Sequence, residues 1–241
     1  MARNGELAVS PIRVIKIGGS LLQRERLLFD LQNWQGSLAE PMVNVWLAGG
    51  GLAVDAIREQ CRVQHLSDTA AHWASIQVMD DNAAKLSRSL PDWQVTDTPE
   101  KILQSKNKHA HNPRSPQRPL GGTYEISQSG ENCVIENWLI QTRRWIASVS
   151  GSLEAQPQLP CTWDVTSDSI AAWVAIQLRA SQLILLKSCS VPVATVSELA
   201  RQGIVDSYLP TLDLQRYATQ FACEYLPCTS HERHEKNAPN N

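Results

Sequence analysis

Apolar residues along this chain follow two periods that take turns: short, nearly continuous runs, and longer stretches spaced at three to four residues. Val14, Ile15 and Ile17 interspersed with Arg13 and Lys16 predict a first strand over 13–17, and Val43 to Leu47 predict a second. Leu183 to Leu186 read as a fully buried strand, with further strands predicted over Val134 to Ile140 and Ala222 to Leu226. Helical spacing appears at Leu27, Leu28, Leu31 and Trp34, and again at Leu52, Ala53, Ala56 and Ile57. Ser67 reads as the N-cap of a long helix carrying Ala70, Trp73, Ala74, Met79, Ala83 and Leu86 and ending before Pro91. Ile170, Ala171, Val174, Ala175 and Leu178 predict another helix. Shorter ones are predicted over Val196 to Gln202, stopped by Gly203, and over Leu212 to Phe221.

Strands that alternate with helices predict an α/β fold, with a mostly parallel central sheet covered on both faces as a three-layer αβα sandwich. One domain over 11–228 is expected. The segment 105–132 is rich in Lys, His, Asn, Pro, Gln, Ser and Gly without any period, and reads as a flexible insertion, either an inert surface excursion or a lid. Met1 to Ser10 read as a frayed lead and 229–241 as a disordered tail.

Composition narrows the class. The 241 residues are 42% hydrophobic and 19% charged, with a formal net charge of -2, which supplies no field for gathering nucleic acid. Neither nucleic acid nor a membrane is expected as a partner, because no apolar stretch approaches the roughly 18 residues of a membrane span. The N-terminus lacks a basic-then-apolar leader, so the cytoplasm is the expected compartment. The six cysteines form no C-x-x-C pair and read as idle thiols. His65 and His72 lie seven residues apart, a spacing that makes no recognised metal pair, and packing or surface roles are expected for them. No residue is assigned to a metal.

The chemistry concentrates in two glycine turns, each entered from a strand: Lys16-Ile17-Gly18-Gly19-Ser20 and Ala48-Gly49-Gly50-Gly51. Glycines let backbone approach a ligand and aim N–H groups at an anion, and a lysine beside such donors suits a polyphosphate. The second turn opens a helix whose positive dipole end adds to the same effect. Lys16, Gly18, Gly19, Ser20, Gly49, Gly50 and Gly51 are therefore candidate phosphate-contacting residues, and Lys187, at the end of its strand, falls on the same carboxyl edge. Asp168 follows Thr166-Ser167 at a helix entrance, open to a capping role, an orienting role, or both. Arg58 is open to two readings, an exposed helix charge or a guanidinium fork for an anionic substrate. Neither turn matches the P-loop or the dinucleotide pattern.

Three segments taken together resemble the amino acid kinase superfamily: Lys16-Ile17-Gly18-Gly19-Ser20, Ala48-Gly49-Gly50-Gly51 running into Asp55-Ala56-Ile57-Arg58, and Val165-Thr166-Ser167-Asp168-Ser169. Within it, Asp68 to Asp80, Trp163 to Ser169 and Val205-Asp206 followed by Leu212 to Leu226 resemble the kinases of methanofuran biosynthesis that phosphorylate (5-aminomethyl-3-furyl)methyl phosphate. The likeness runs from Ile12 to Leu226, apart from the polar insertion.

The resemblance implies an ATP-dependent kinase, with Mg²⁺ accompanying ATP, a small phosphorylated acceptor and a homo-oligomeric assembly. It gives Lys16 the transferring phosphoryl group, the glycines of both turns the amide donors, and Asp168 the organising of the site. Lys187 takes the place of a second phosphate-binding lysine, while Arg58 and Ser167 fall to the acceptor. One departure stands out. Family members carry a Thr-Asp-Val-Asp-Gly-like segment after this strand, whereas here Leu186 is followed by Lys187-Ser188-Cys189-Ser190-Val191-Pro192, without the acidic residues.

Overall fold

A computed structural model describes residues 11–38, 42–64, 66–110, 136–150 and 159–228. Six parallel strands form its sheet: β1 (Ile12–Ile17), β2 (Val43–Ala48), β3 (Gln94–Thr96), β4 (Asn137–Ile140), β5 (Gln182–Lys187) and β6 (Gln220–Tyr225), in spatial order β3-β4-β2-β1-β5-β6. Around them lie α1 (Leu27–Gly36), α2 (Leu52–Gln64), α3 (Asp68–Ser89), α4 (Pro99–Ala110), α5 (Thr142–Ser150), α6 (Ser167–Gln177) and α7 (Val196–Arg201).

Strand pleating sorts the core into two layers, because alternate side chains point to opposite faces. Val14, Val45, Leu183 and Leu185 pack with Ile170, Trp173 and Val174 of α6, Trp145 of α5 and Leu199 of α7 on one face. Ile15, Ile17, Trp46, Leu139, Ile184 and Leu186 pack with Leu27, Leu31 and Trp34 of α1 on the other. Helix α3 serves both, with Ile76 and Met79 in the first layer and Ala83 and Leu86 in the second. Helix α6 is buried along its whole length from Asp168 to Ile176, as expected for a helix that is apolar all round. Helix α2, by contrast, has no buried residue and rests on α3.

This strand order fixes where a ligand can bind. From β1 the chain turns towards β2, while β5 occupies the other flank of β1, so the loops leaving β1 and β5 part company at their carboxyl ends. That is a topological switch point, the place where open parallel sheets form a crevice. Lys16 and the first glycine turn leave β1 there, and Lys187 ends β5 beside them.

Several boundaries differ from the sequence expectation. The stretch Leu212 to Phe221 is not a helix: two 3₁₀ turns, Leu209–Thr211 and Gln215–Tyr217, are followed by Ala218 in a left-handed conformation at φ 54°. Leu209, Leu212 and Leu214 are all buried, and this irregular spacing suits a turn pressed on the core better than one helical face. Strand β6 accordingly starts at Gln220, two residues before the expected Ala222. The elements β3, α4 and α5 were not expected at all. Helix α4 runs through Ala110 into the first residues of the presumed insertion, anchored by the fully buried Ile102. The remainder of the insertion, the lead, the tail, His65 and the first two residues of the predicted Val134 to Ile140 strand lie outside the described residues.

Candidate functional site

The two glycine turns meet. A Cβ on Gly19 would lie 2.2 Å from the Gly51 nitrogen, so the backbones touch at a distance that no side chain permits. Gly51 also has φ +66°, a left-handed conformation that glycine adopts without strain. The Gly18 N–H donates to the Leu186 carbonyl at 2.9 Å and the Gly49 N–H to that of Ile17 at 2.9 Å, which ties both turns to the sheet edge. These two amides are therefore engaged with backbone, against the donor role expected of Gly18 and Gly49. Gly19 and Ser20 open a 3₁₀ turn, and Gly50 and Gly51 precede α2, where the first amides of a helix have no partner in their own helix.

Asn82 of α3 holds the second turn from behind. Its Nδ2 donates to the carbonyls of Gly49 and Gly50 at 2.9 and 3.1 Å. Sequence reading passed over this residue, although a polar group in the middle of a helix that packs on the sheet was a signal to follow.

Beneath the first turn lies a buried charge cluster. Lys16 donates to one oxygen of Asp168 at 2.8 Å and Lys187 to the other at 2.7 Å. Burial lowers the pKa of the Lys16 ammonium below the usual lysine range; Asp168 opposes that shift and Lys187 reinforces it. Burial pushes the Asp168 carboxyl up, but the two ammonium groups outweigh it and hold the carboxyl below its ordinary range. The ion pairs thus hold two ammonium groups side by side at the carboxyl edge of the sheet. Burial also raises the nearby Cys223 thiol to about 11, leaving it protonated and inert at neutral pH.

Asp206 keeps Asp168 in position. It accepts from the backbone N–H groups of Thr166, Ser169 and Leu209 and from the hydroxyls of Thr166 and Ser169, and so clamps the start of α6 to the turn after α7. Thr166 in turn accepts from the Asp168 N–H as the N-cap of α6. Capping and charge orientation are therefore divided, with Thr166 capping and Asp168 orienting. The segment Val205-Asp206 formed part of the family resemblance, but no role had been read for it.

Beside the glycine turns opens a cavity of about 270 Å³, whose lining does not include Lys16, Asp168 or Lys187. Its floor is Gly19, Ser20, Gly50 and Gly51, one wall is α3 with His72, Ser75, Ile76 and Met79, and the facing wall includes Thr162, Trp163 and Ser167. Ser167 and Arg58 both line it. Arg58 is exposed at the mouth, 3.3 Å from Asp55 and with its guanidinium 5.0 Å from the Trp163 ring, which places α2 against the loop before α6. Among the tryptophans of the described residues, Trp163 lines the cavity. Trp73 packs partly buried beside His72, and Trp46 is buried on the α1 face, stacked on Trp93. Ser20 also hydrogen-bonds Ser188 at 2.6 Å, and Arg24 reaches the Ser188 and Leu226 carbonyls, closing the β5 side of the site.

Among the described residues no group of three or more His, Cys, Asp or Glu side chains is arranged to hold a metal ion, and no helix is long and apolar enough to cross a membrane.

This fold of six parallel strands covered by helices has counterparts among solved structures. Solved structures that share it include a UMP kinase from Ureaplasma parvum, with TM-score 0.54 and 12% identity over 90% of each chain. A uridylate kinase from Archaeoglobus fulgidus matches with TM-score 0.51 and 14% identity, covering 87% of this chain and 88% of its own. At such identities the likeness establishes a common fold. No protein-family model matches the chain, and no curated protein matches it in sequence.

Proposed function

We propose that this chain is a small-molecule kinase that moves the γ-phosphoryl group of ATP onto a phosphate-bearing acceptor held in the cavity between α2, α3 and α6. The observation that carries the reading is the convergence of both glycine turns with the Lys16–Asp168–Lys187 cluster at one edge of the sheet. In the transfer, an acceptor phosphate oxygen forms a bond to the γ-phosphorus as the bond to the β,γ-bridging oxygen breaks, and ADP leaves. Such a reaction brings two anions together, so the protein contributes positioning and charge neutralisation. Lys16 and Lys187 offset charge on the transferring group, and the free amides of Gly19, Ser20, Gly50 and Gly51 orient it.

The donor set fits a polyphosphate. It does not fit a protein-held Mg²⁺, since both Asp168 oxygens face ammonium groups and the acidic segment after β5 is absent. Any magnesium that accompanied the nucleotide would supply charge neutralisation there, without a protein ligand from this cluster.

The acceptor class is a compact phosphate ester. A furan phosphate follows from the sequence resemblance, and a nucleoside monophosphate is compatible with the shared fold. The reading also takes the chain as a cytoplasmic homo-oligomer, whose assembly light scattering after gel filtration would measure. A panel of UMP, (5-aminomethyl-3-furyl)methyl phosphate and amino-acid carboxylates, assayed for ATP consumption, tests the kinase directly. Turnover on one phosphate acceptor that vanishes in Lys16→Gln is expected. Turnover unchanged in Lys16→Gln, or no turnover on any acceptor, rejects the assignment.

The missing acidic segment favours a second reading, a noncatalytic relative that binds a nucleotide or anion. Calorimetric binding of MgATP with no turnover on the whole panel would select it.

A further inference from the structure

The long wall of the cavity has a built-in scale. Asn82 touches the second glycine turn, and His72 lies ten residues earlier on the same helix, about 15 Å away along the axis at 1.5 Å per residue. Ser75, Ile76 and Met79 line the cavity between them. A phosphate resting on the glycine turns therefore puts the far end of its ester near His72.

His72 is only 7% exposed and lines that end of the cavity. It is hydrogen-bonded to the Thr162 backbone, and its ring meets Trp73 edge-on at 5.8 Å. Burial, against the smaller opposing effect of the Thr162 bond, lowers its pKa below the usual histidine value, so the ring is neutral at pH 7. In a neutral imidazole whose one N–H serves the main chain, the other nitrogen is an acceptor only. Of the lining hydroxyls, Ser75 donates to the Ala71 carbonyl and Thr166 to Asp206, and Asp55 and Arg58 at the mouth are paired with each other. His72 is thus a buried ring acceptor at the remote end of the cavity, beside the smaller hydroxyl of Ser75.

We propose that His72 is the specificity-determining residue of the acceptor cavity, accepting a hydrogen bond from an N–H or O–H group at the end of the acceptor remote from its phosphate. The idea rests on the cavity being the acceptor site, yet binding alone tests it, without phosphoryl transfer.

Two matched pairs of probes carry the experiment: UMP against N3-methyl-UMP, and (5-aminomethyl-3-furyl)methyl phosphate against its trimethylammonium derivative. Calorimetry without ATP is expected to give a preference of about tenfold for the donor-bearing member of at least one pair. In His72→Phe that preference falls to within about twofold, and in His72→Gln, whose amide oxygen accepts, part of it returns. Long-range ¹H–¹⁵N spectra of the wild-type ring at pH 7 supply a readout independent of any variant. They are expected to show one protonated and one unprotonated nitrogen, the latter shifting on binding of the preferred probe. A doubly protonated ring, a preference retained in His72→Phe, or failure of every donor-bearing probe to bind overturns the proposal. Discriminating binding with no phosphate transfer would leave it standing and reject the kinase assignment instead.

Discussion

Lys16 and Asp168, separated by 152 residues in sequence, form a buried ion pair of 2.8 Å at the carboxyl edge of the sheet. Lys187 bonds the second oxygen of the same carboxylate, so one negative charge serves two positive ones. Removing the shared partner is therefore worse than removing either lysine. Asp168→Asn is expected to lose about 3–5 kcal/mol of unfolding free energy, because two ammonium groups are left buried and facing each other. Lys16→Gln leaves a matched pair and loses less. Urea denaturation measures both. Inorganic triphosphate should raise the melting temperature of Asp168→Asn by more than that of the wild type, since an anion then replaces the lost carboxylate.

The same pair sets a pH dependence. The folded-state carboxyl titrates below its ordinary value, so the unfolded chain binds the proton first as acid is added. The stabilisation is fully present above the ordinary carboxylate range and is lost as pH falls through the folded value. The difference in stability between the wild type and Asp168→Asn should hold steady from pH 5 to pH 8, within about 0.5 kcal/mol, and shrink below about pH 4. Urea titrations at stepped pH test this, and a gap that widens in acid would contradict it.

Contact between the two turns makes Gly19 and Gly36 opposite cases. Alanine at 19 collides with the Gly51 backbone, a clash that only main-chain movement relieves, and should cost about 1–3 kcal/mol along with anion binding. Alanine at 36, at the exposed end of α1 with open space around its Cβ, should gain about 0.5 kcal/mol through helix propensity. Thermal melts of the two variants should move in opposite directions, and only alanine at 19 should weaken binding in triphosphate titrations.

Asp206 accepts five hydrogen bonds at the start of α6, and its loss strands donors in the interior. Asp206→Ala should destabilise by about 3 kcal/mol and shift Asp168 away from its lysines. Denaturation measures the first effect, and the pH profile of stability the second, since the acid loss attributed to Asp168 should weaken.

Asn82→Ala separates cradle from core. The two glycine carbonyls it holds are part-buried, so the expected stability loss is small, about 1 kcal/mol, with MgATP or triphosphate affinity reduced about fivefold. Unaltered affinity would show that the turn keeps its shape without α3.

Period and glycine placement told the fold class and both glycine turns from the sequence, because these are local properties: a strand's alternation and a turn's need for a missing Cβ act over a handful of residues. Lys16, Lys187, Asp168 and Ser167 were legible as candidates for the same reason, each next to a recognisable element end. Other features depended on distant partners. Leu212 to Phe221 has enough apolar residues for a helix, yet the pull of three buried leucines on the core breaks it into turns. Helix α4 persists through Ala110 because Ile102 is buried, which its polar composition does not announce. That Gly18 and Gly49 give their N–H groups to backbone, that Asp168 shares itself between two lysines, and that Asp206, Asn82 and His72 belong to the site were decided only by tertiary structure. Hydrogen bonds and ion pairs between residues tens to hundreds of positions apart leave no periodic trace, since their geometry exists only once the sheet has brought the strand ends together.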